Sequence, residues 1–458
     1  MEQSSRLRYA IPFFVVSFFL LYFFSSGVQS ELSLSILNKG SGLPDFGKYR
    51  HIGTVSAERL SLGHQAPFLH DEVANSPYPT DDPNRRAIIV GDIHGMKSAL
   101  DDLLNHVSYD EKKDTLIHLG DIITKGPHAG SLSVLSFMSE HNISGVRGNH
   151  DQQVIEWRTW LDWIHSLEGG AGSRWLQELE EKWKEENQGG ELDDDSNTET
   201  WVGTQMLEGQ KDRKWWSRVP KGWKLFSDHY RIAKAMSKQD YEYLLSLPLV
   251  LHLPSEHTFL VHAGLLPYDP TLSITSKKQP LAHLPKIPSR VLGGSIIPTL
   301  RNAQELAILE DIKQNTNPWV VLNIRNLRKD NKPSRKTNKG KAWTKVWNEI
   351  ISRCVGFERT ALGAESSLPC HPSTVIYGHT ASRGLDVHRW SVGIDTGCAY
   401  GRRLTALILD NAHSHMGAVS PGAYEDDNED GIESSSGTLP FGDSGQAKLF
   451  SVKCHKHK

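Results

Sequence analysis

The chain has 458 residues and a formal net charge of −3, from 51 basic and 54 acidic side chains. That length holds two or three domains, or one enzyme domain with insertions, and so balanced a charge says little about partners. The four cysteines, Cys354, Cys370, Cys398 and Cys454, form no CxxC pair, which argues against a zinc finger and a dense disulfide framework and allows one disulfide in an oxidising compartment.

In chain order, Arg6 and Arg8 come first, followed by an uncharged apolar run from Tyr9 to Val28. A membrane-spanning helix needs about 20 such residues. Basic residues on the N-terminal side predict a cytoplasmic N-terminus and a translocated remainder. The alternative is a signal peptide cleaved before Glu31. Either way the chain is expected in a secretory or vacuolar lumen. Residues 1–30 are thus read as a signal-anchor and 31–84 as a polar linker. Asn142-Ile143-Ser144 is a glycosylation sequon.

From Arg86 the pattern changes. "AIIVGD", "DTLIHLGD" and "ISGVRGNHD" are short apolar runs that end in Gly and a polar cluster, separated by helix-like stretches at Lys97–His106 and Ser131–His141. This is the β-α-β-α alternation of an α/β fold. A Trp-rich region follows, residues 156–225, carrying the acidic run "ELDDDSNTET". It is predicted to be a helical insertion or lid whose tryptophans are packing anchors. Strand-like runs return with "LPLVLHLP", "HTFLVHAGLLP", "STVIYGHT", "WSVGIDTG" and "RLTALIL". Between them, residues 272–370 read as a second insertion with a basic stretch at 324–345. That stretch is either a solvated loop or a landing strip that concentrates a polyanion by charge. No stacking aromatics accompany it, so nucleic acid is not expected. The main domain is taken as residues 85–410, and 411–458 as a disordered tail.

The chemistry lies at the ends of the apolar runs. They supply Asp92 and His94, then Asp121, then Asn149 and His150, then His262, then His379, each next to or near Gly. In an open α/β sheet, ligands bind beyond the carboxyl ends of strands, so these side chains are expected in one cleft. A carboxylate, amide and imidazole set without thiolate suits Zn, Mn, Co or Fe. Two such ions about 3.5–4 Å apart, bridged by a carboxylate such as Asp121, form the clamp of phosphoryl hydrolysis. His150 is placed to act as general acid, Arg147 to hold phosphate oxygens and Lys125 to help as a point charge.

"GDIHG", "GDIITKG", "RGNHD", "LVHAGL" and "YGHT" together resemble the motifs of the calcineurin-like metallophosphatases, in their phosphoprotein-phosphatase branch. The resemblance implies a sandwich of two mixed β-sheets flanked by helices. It also implies that Asp92, His94 and Asp121 hold one metal, that Asp121, Asn149, His262 and His379 hold the other, and that His150 is the acid. "GDIITKGPHAGSLSVL" and "DTGCAYGRRLTAL" resemble the diadenosine tetraphosphatases. The hydrophobic N-terminus adds a resemblance to the fungal vacuolar zinc-dependent endopolyphosphatases, and hence implies inorganic polyphosphate as substrate, two divalent ions (Zn foremost), and a catalytic domain in the vacuolar lumen. Protein phosphatases usually carry Asp and Arg where this chain has Thr124 and Lys125, and Glu where it has Asp151. That missing Asp normally orients the acid His, so another carboxylate or a backbone carbonyl is expected to orient His150. The substitutions count against a Ser/Thr protein phosphatase, which stays as an alternative beside a bis-nucleosyl tetraphosphatase; a non-enzymatic binding module is not expected.

Overall fold

A computed structural model describes residues 85–186, 195–208, 212–286, 296–358, 367–410, 434–443 and 445–455. The expected N-terminal anchor and the 31–84 linker lie outside the described residues. Among those described, no helix is long and apolar enough to cross a membrane.

The first elements are β1 (Arg86–Val90), α1 (Lys97–His106), β2 (Asp114–His118), α2 (His128–Glu140), β3 (Ser144–Gly145) and α3 (Asn149–His165). On α1 the buried positions are Ala99, Leu100, Leu103 and Leu104, a stripe with helical spacing. α2 starts at His128 rather than Ser131 because Pro127, with φ −57°, stands at its N-cap.

Residues 159–225 form a compact unit that is largely helical. Beyond the end of α3 it contains α4 (Ala171–Glu186), α5 (Asp195–Glu208) and the short α6 (Arg213–Trp216). Its tryptophans pack on one another. Trp175 stacks on Trp215 and meets Trp216 edge-on, and Trp183 meets Trp201 edge-on at 5.3 Å. They are packing anchors, as their indole area would suggest.

The second unit continues with α7 (Asp228–Ala235), α8 (Lys238–Ser246), β4 (Val250–Leu253), β5 (Thr258–Val261), α9 (Ile296–Glu310) and α10 (Pro318–Asn323). Then come β6 (Asn326–Leu327), β7 (Pro333–Ser334), β8 (Lys341–Ala342), α11 (Trp343–Ile351), β9 (Thr374–Tyr377), β10 (Asp386–His388), β11 (Ser391–Gly393), β12 (Arg403–Asp410), β13 (Ser434–Phe441) and β14 (Gly445–Lys453). One sheet has the order β13-β14-β12-β1-β2-β3, and the other β10-β11-β9-β5-β4. β1 runs parallel to β2 and antiparallel to β12, whereas β9 lies parallel to both β5 and β11. Both sheets are therefore mixed.

Period-two alternation decides which side chains face where. Ala87, Ile89, Ile117, Leu407 and Leu449 of the first sheet share a core with Leu251, Leu260, Ile376 and Val392 of the second. The intervening residues Val250, Phe259, Val261 and Val375 point the other way, into a layer built from Ile308, Leu309, Val320, Trp343, Trp347 and Ile350. The architecture is the expected two-sheet sandwich with helices outside.

Three expectations need correction. The 272–370 segment supplies that outer helical layer: α11 buries Trp343, Val346, Trp347, Ile350 and Ile351, a helical stripe within a sequence that is otherwise basic just upstream. The basic stretch is not a loose loop, because β6, β7 and β8 pair into a small antiparallel sheet. Part of the supposedly disordered tail is also ordered. β13 and β14 extend the first sheet, with Ala447, Leu449 and Val452 buried, although the Gly- and Ser-rich composition of β13 hides it from sequence reading. Residues 411–433 lie outside the described residues.

The cysteines form two disulfides, Cys354–Cys370 and Cys398–Cys454, rather than at most one. Non-reducing peptide mapping should recover these two cross-links. Replacing Cys454 with Ser opens a 56-residue span and should cost about 4 kcal/mol of unfolding free energy, read from denaturant midpoints in oxidising buffer.

Candidate active site

The side chains singled out in the sequence leave the carboxyl ends of parallel strands. Asp92 and His94 follow β1, Asp121 follows β2, Asn149 and His150 open α3 just after β3, His262 follows β5 and His379 follows β9. Strand ends from both sheets of the sandwich thus face one place. The backbone there is contorted. His94 (φ 49°), Asp121 (φ 49°) and His379 (φ 69°) all occupy the left-handed region, as do Thr124 and Lys125. Non-glycine residues enter that region at a cost of order 1–3 kcal/mol, held there by the surrounding structure.

The holding contacts are visible. The Asp121 carbonyl accepts from the His94 N–H at 2.9 Å and the Ile93 N–H at 3.2 Å. Asp92 accepts from the His379 N–H through both carboxylate oxygens. Gly120 sits against Gly148 so closely that a Cβ at Gly120 would lie 2.4 Å from the Gly148 nitrogen. This explains a glycine in each of the two motifs.

Two groups of donors converge. Asp92, His94 and Asp121 each offer an atom within 4.8 Å of the others, and so do Asp121, His262 and His379, with Asp121 common to both. The Asn149 Oδ1 lies 3.1 Å from the His262 Nε2 and completes the second group. His262 Nδ1 is 2.8 Å from the Leu119 carbonyl, and His94 Nδ1 is 3.3 Å from that of Ile123. With those carbonyls accepting from Nδ1–H, both Nε2 lone pairs turn to the cluster, as in ligand histidines.

The electrostatics ask for a cation other than a proton. Burial drives the His94 pKa down to about 4 and lowers those of His262 and His379, so the imidazoles are neutral. Burial, with Asp395 and Asp121 nearby, pushes Asp92 well up. Asp121 is also buried, but His262, His150, His94 and Lys125 outweigh this and hold it well below the usual carboxylate range. Buried carboxylates beside neutral imidazoles lack compensating charge, and divalent ions would supply it. The donor set therefore fits two such ions, with Asp121 between them.

The remaining predicted residues divide. Lys125 reaches the cluster, its Nζ 3.1 Å from His94 Nε2. His150 stands at its edge, Nε2 4.0 Å from Asp121 Oδ2, with its backbone N–H donating to Asp121 Oδ1. Arg147 does not reach the cluster. It is 1% exposed and spends its guanidinium on Gln152 Oε1 and the Leu245 carbonyl. It props the loop that carries Asn149 and has no reach to phosphate.

Sequence reading missed four participants. Asp395 follows β11, is buried, lines the cleft, and has its pKa raised by burial to about 6. "GIDTG" has the same strand-end form as "GDIHG" and was legible. Asp151 is fully buried and accepts from the backbone N–H groups of Asp121, Ile122 and Gly148, so one carboxylate ties two motifs together. Arg325 donates to the His379 carbonyl at 2.9 Å. His229 places Nε2 2.8 Å from His150 Nδ1, with the rings stacked. The orienting partner of His150 is therefore an imidazole, not the carboxylate or carbonyl expected. No sequence signal marked it, since it is 79 residues away.

Residues 85–253 match the family described as Calcineurin-like phosphoesterase. The chain is 37% identical over 93 residues to serine/threonine-protein phosphatase 1 of Salmonella typhimurium, covering 18% of this chain and 42% of that protein. It is 46% identical over 68 residues to the symmetrical bis(5'-nucleosyl)-tetraphosphatase of Buchnera aphidicola, covering 14% and 24%. The chain thus spans less than half the length of these relatives. Among solved structures, a protein serine/threonine phosphatase from Saccharomyces cerevisiae aligns over 83% of this chain and 84% of its own, at 11% identity and a TM-score of 0.31.

Asp151→Ala would strand three backbone donors and should destabilise the protein by about 3 kcal/mol, measured by urea unfolding. His229→Ala should lower kcat about tenfold, a typical share of general acid–base catalysis. KM and metal content should stay as in wild type, and His229→Gln, which can still hydrogen-bond, should recover part of the loss.

Proposed function

We propose that this chain hydrolyses the phosphoanhydride bonds of inorganic polyphosphate, cutting within the chain. The observation that carries the reading is the charge of the cleft. A cavity of about 530 Å³ opens over the donor cluster, and its walls carry Lys125, Arg325, Arg335, Lys336 and Arg402. The donor cluster suits phosphoryl transfer in general, whereas a wall of five cations favours a substrate with repeated negative charge. The family supports metal-dependent phosphoester chemistry, and the relatives' names include enzymes of phosphoanhydrides.

Asp92, His94 and Asp121 would hold one divalent ion, and Asp121, Asn149, His262 and His379 the other. Such ions neutralise phosphate charge and acidify water, and Zn, Mn, Co and Fe all suit these donors. The chain's own groups do the rest. Arg325 is fixed by the His379 and Arg335 carbonyls, so its guanidinium is already placed for an anion entering the cleft. Lys125 adds a point charge beside His94. His150 delivers the proton to the leaving phosphate oxygen. For that step His150 is the imidazolium, its Nδ1–H donating to His229 Nε2, and the proton on Nε2, the nitrogen nearer the cluster, is the one given up, leaving a neutral ring.

A second reading, hydrolysis of bis-nucleosyl polyphosphates, is favoured by one feature. Tyr400 lines the cleft and is 53% exposed, a free ring on which a base could stack. We further propose a vacuolar lumen reached through an N-terminal anchor, with secretion after cleavage as the alternative. Two disulfides fit such an oxidising compartment, and Asn142 is exposed at a turn where a glycan could attach.

The test uses enzyme stripped by chelation and reloaded with Zn, Co, Mn or Mg, given long polyphosphate, diadenosine tetraphosphate or a phosphopeptide. Metal-restored cleavage of polyphosphate to mid-sized fragments on gels is expected, with the phosphopeptide turned over least. Faster cleavage of diadenosine tetraphosphate, lost in Tyr400→Ala, would establish the second reading instead. Asp121→Asn should abolish turnover of every substrate and lower bound metal.

A further inference from the structure

The basic stretch that walls the cleft has another side. β6, β7 and β8 pin it, and Gly340 makes its return tight: φ is 88°, and a Cβ there would lie 2.1 Å from the Leu327 carbonyl oxygen. Arg325 faces the cleft, and across the strand a second groove of about 920 Å³ runs between this small sheet and α11. Its lining includes Arg328, Lys329, Lys341, Lys345, Arg353 and Arg383, with Glu349 as the carboxylate. Thr337 lines both cavities.

The partition between the two is firmly built. Arg383 donates to the Arg325 carbonyl and to Asn326 Oδ1, and the Asn326 amide donates to the Thr337 carbonyl at 2.8 Å. Much of the local charge is already engaged. Lys341 pairs with Glu349, and Arg328 pairs with Asp330 at 2.8 Å. Lys329 and Lys345 make no ion pair among the described residues. A groove with several like charges held close and too few carboxylates to balance them favours an extended polyanion, whose charge replaces the missing counter-ions and releases small ones. Tyr268 is the aromatic side chain in its lining, which is poor provision for stacking successive bases.

We propose that this groove is a separate binding site for polyphosphate, which takes the length of chain beyond the segment in the cleft. The inference rests on the polyphosphate reading above and assigns the residues that make long chains better substrates than short ones. Two sites joined by one chain act by effective concentration. Occupancy of the groove keeps the substrate at the cleft between cuts.

The experiment uses the full-length, metal-loaded enzyme and the double variant Lys329→Glu with Lys345→Glu, both outside the catalytic cleft. KM for long polyphosphate should rise about tenfold, and the slope of affinity against salt should fall by about 2. Turnover of tripolyphosphate should stay at the wild-type level. Lys329→Arg with Lys345→Arg should behave as wild type. Binding of long polyphosphate to Asp121→Asn protein, with and without the two groove substitutions, separates the two hypotheses. If wild type cleaves polyphosphate and the groove variant matches it on long chains, the groove assignment fails and the proposed activity stands. If wild type cleaves none, yet the groove substitutions weaken binding to the Asp121→Asn protein, the activity fails and the groove stands. Equal losses on long and short substrates, or tighter groove-dependent binding of single-stranded RNA than of polyphosphate, would overturn the assignment.

Discussion

Asp121 carries more of the structure than its side-chain chemistry alone would suggest. Its carbonyl accepts from Ile93 and His94, its Oδ1 accepts from the His150 N–H, and its own N–H donates to Asp151. A single residue thus fixes the turn after β1, the start of α3 and the turn after β2. Its carboxylate is buried, and the Lys125 ammonium nearby favours the ionised form. The cost of burying that charge is tolerable only because its neighbours converge on it. The convergence also produces two groups of donors with a common member.

That constraint accounts for the strained backbone around it. Left-handed φ values at His94, Asp121 and His379 turn each side chain back toward the strand ends it has just left. Glycine would adopt the same dihedrals more easily but would bring no ligand. At these three positions the strain falls where a side chain joins the donor cluster, and glycine takes neighbouring positions such as Gly120, where backbones touch.

Much of this was legible in the sequence, for a definite reason. A strand that ends in Gly and a charged residue breaks the rule that buried strands stay apolar, and the repetition of that break in Asp92, Asp121, Asn149, His262 and His379 picked out the cluster and an α/β fold, while the two-sheet sandwich was implied by the resemblance of those motifs. What was not legible depends on contacts distant in sequence or on composition that misleads. Arg147 looked like a phosphate clamp because it adjoins a ligand loop, but its direction is set by Gln152 and Leu245. β13 reads as a disordered Ser/Gly run, and only its pairing with β14 makes it a strand. Local patterns specify strand ends well; they carry no information about which way an arginine turns or which distant histidine stacks.

The second motif shows how a local loss is offset from elsewhere in the chain. Thr124 and Lys125 occupy positions where the related phosphatase motif has Asp and Arg, so this turn cannot itself orient His150. The compensation comes from the start of α7. Asp228 accepts from the Lys125 N–H at 2.8 Å and holds the turn, while the adjacent His229 holds His150. Two consecutive residues on one helix thus support both Lys125 and His150. A neutral imidazole partner orients His150 without adding negative charge beside it. His150 is held by stacking and one hydrogen bond to His229 instead of by a charged partner.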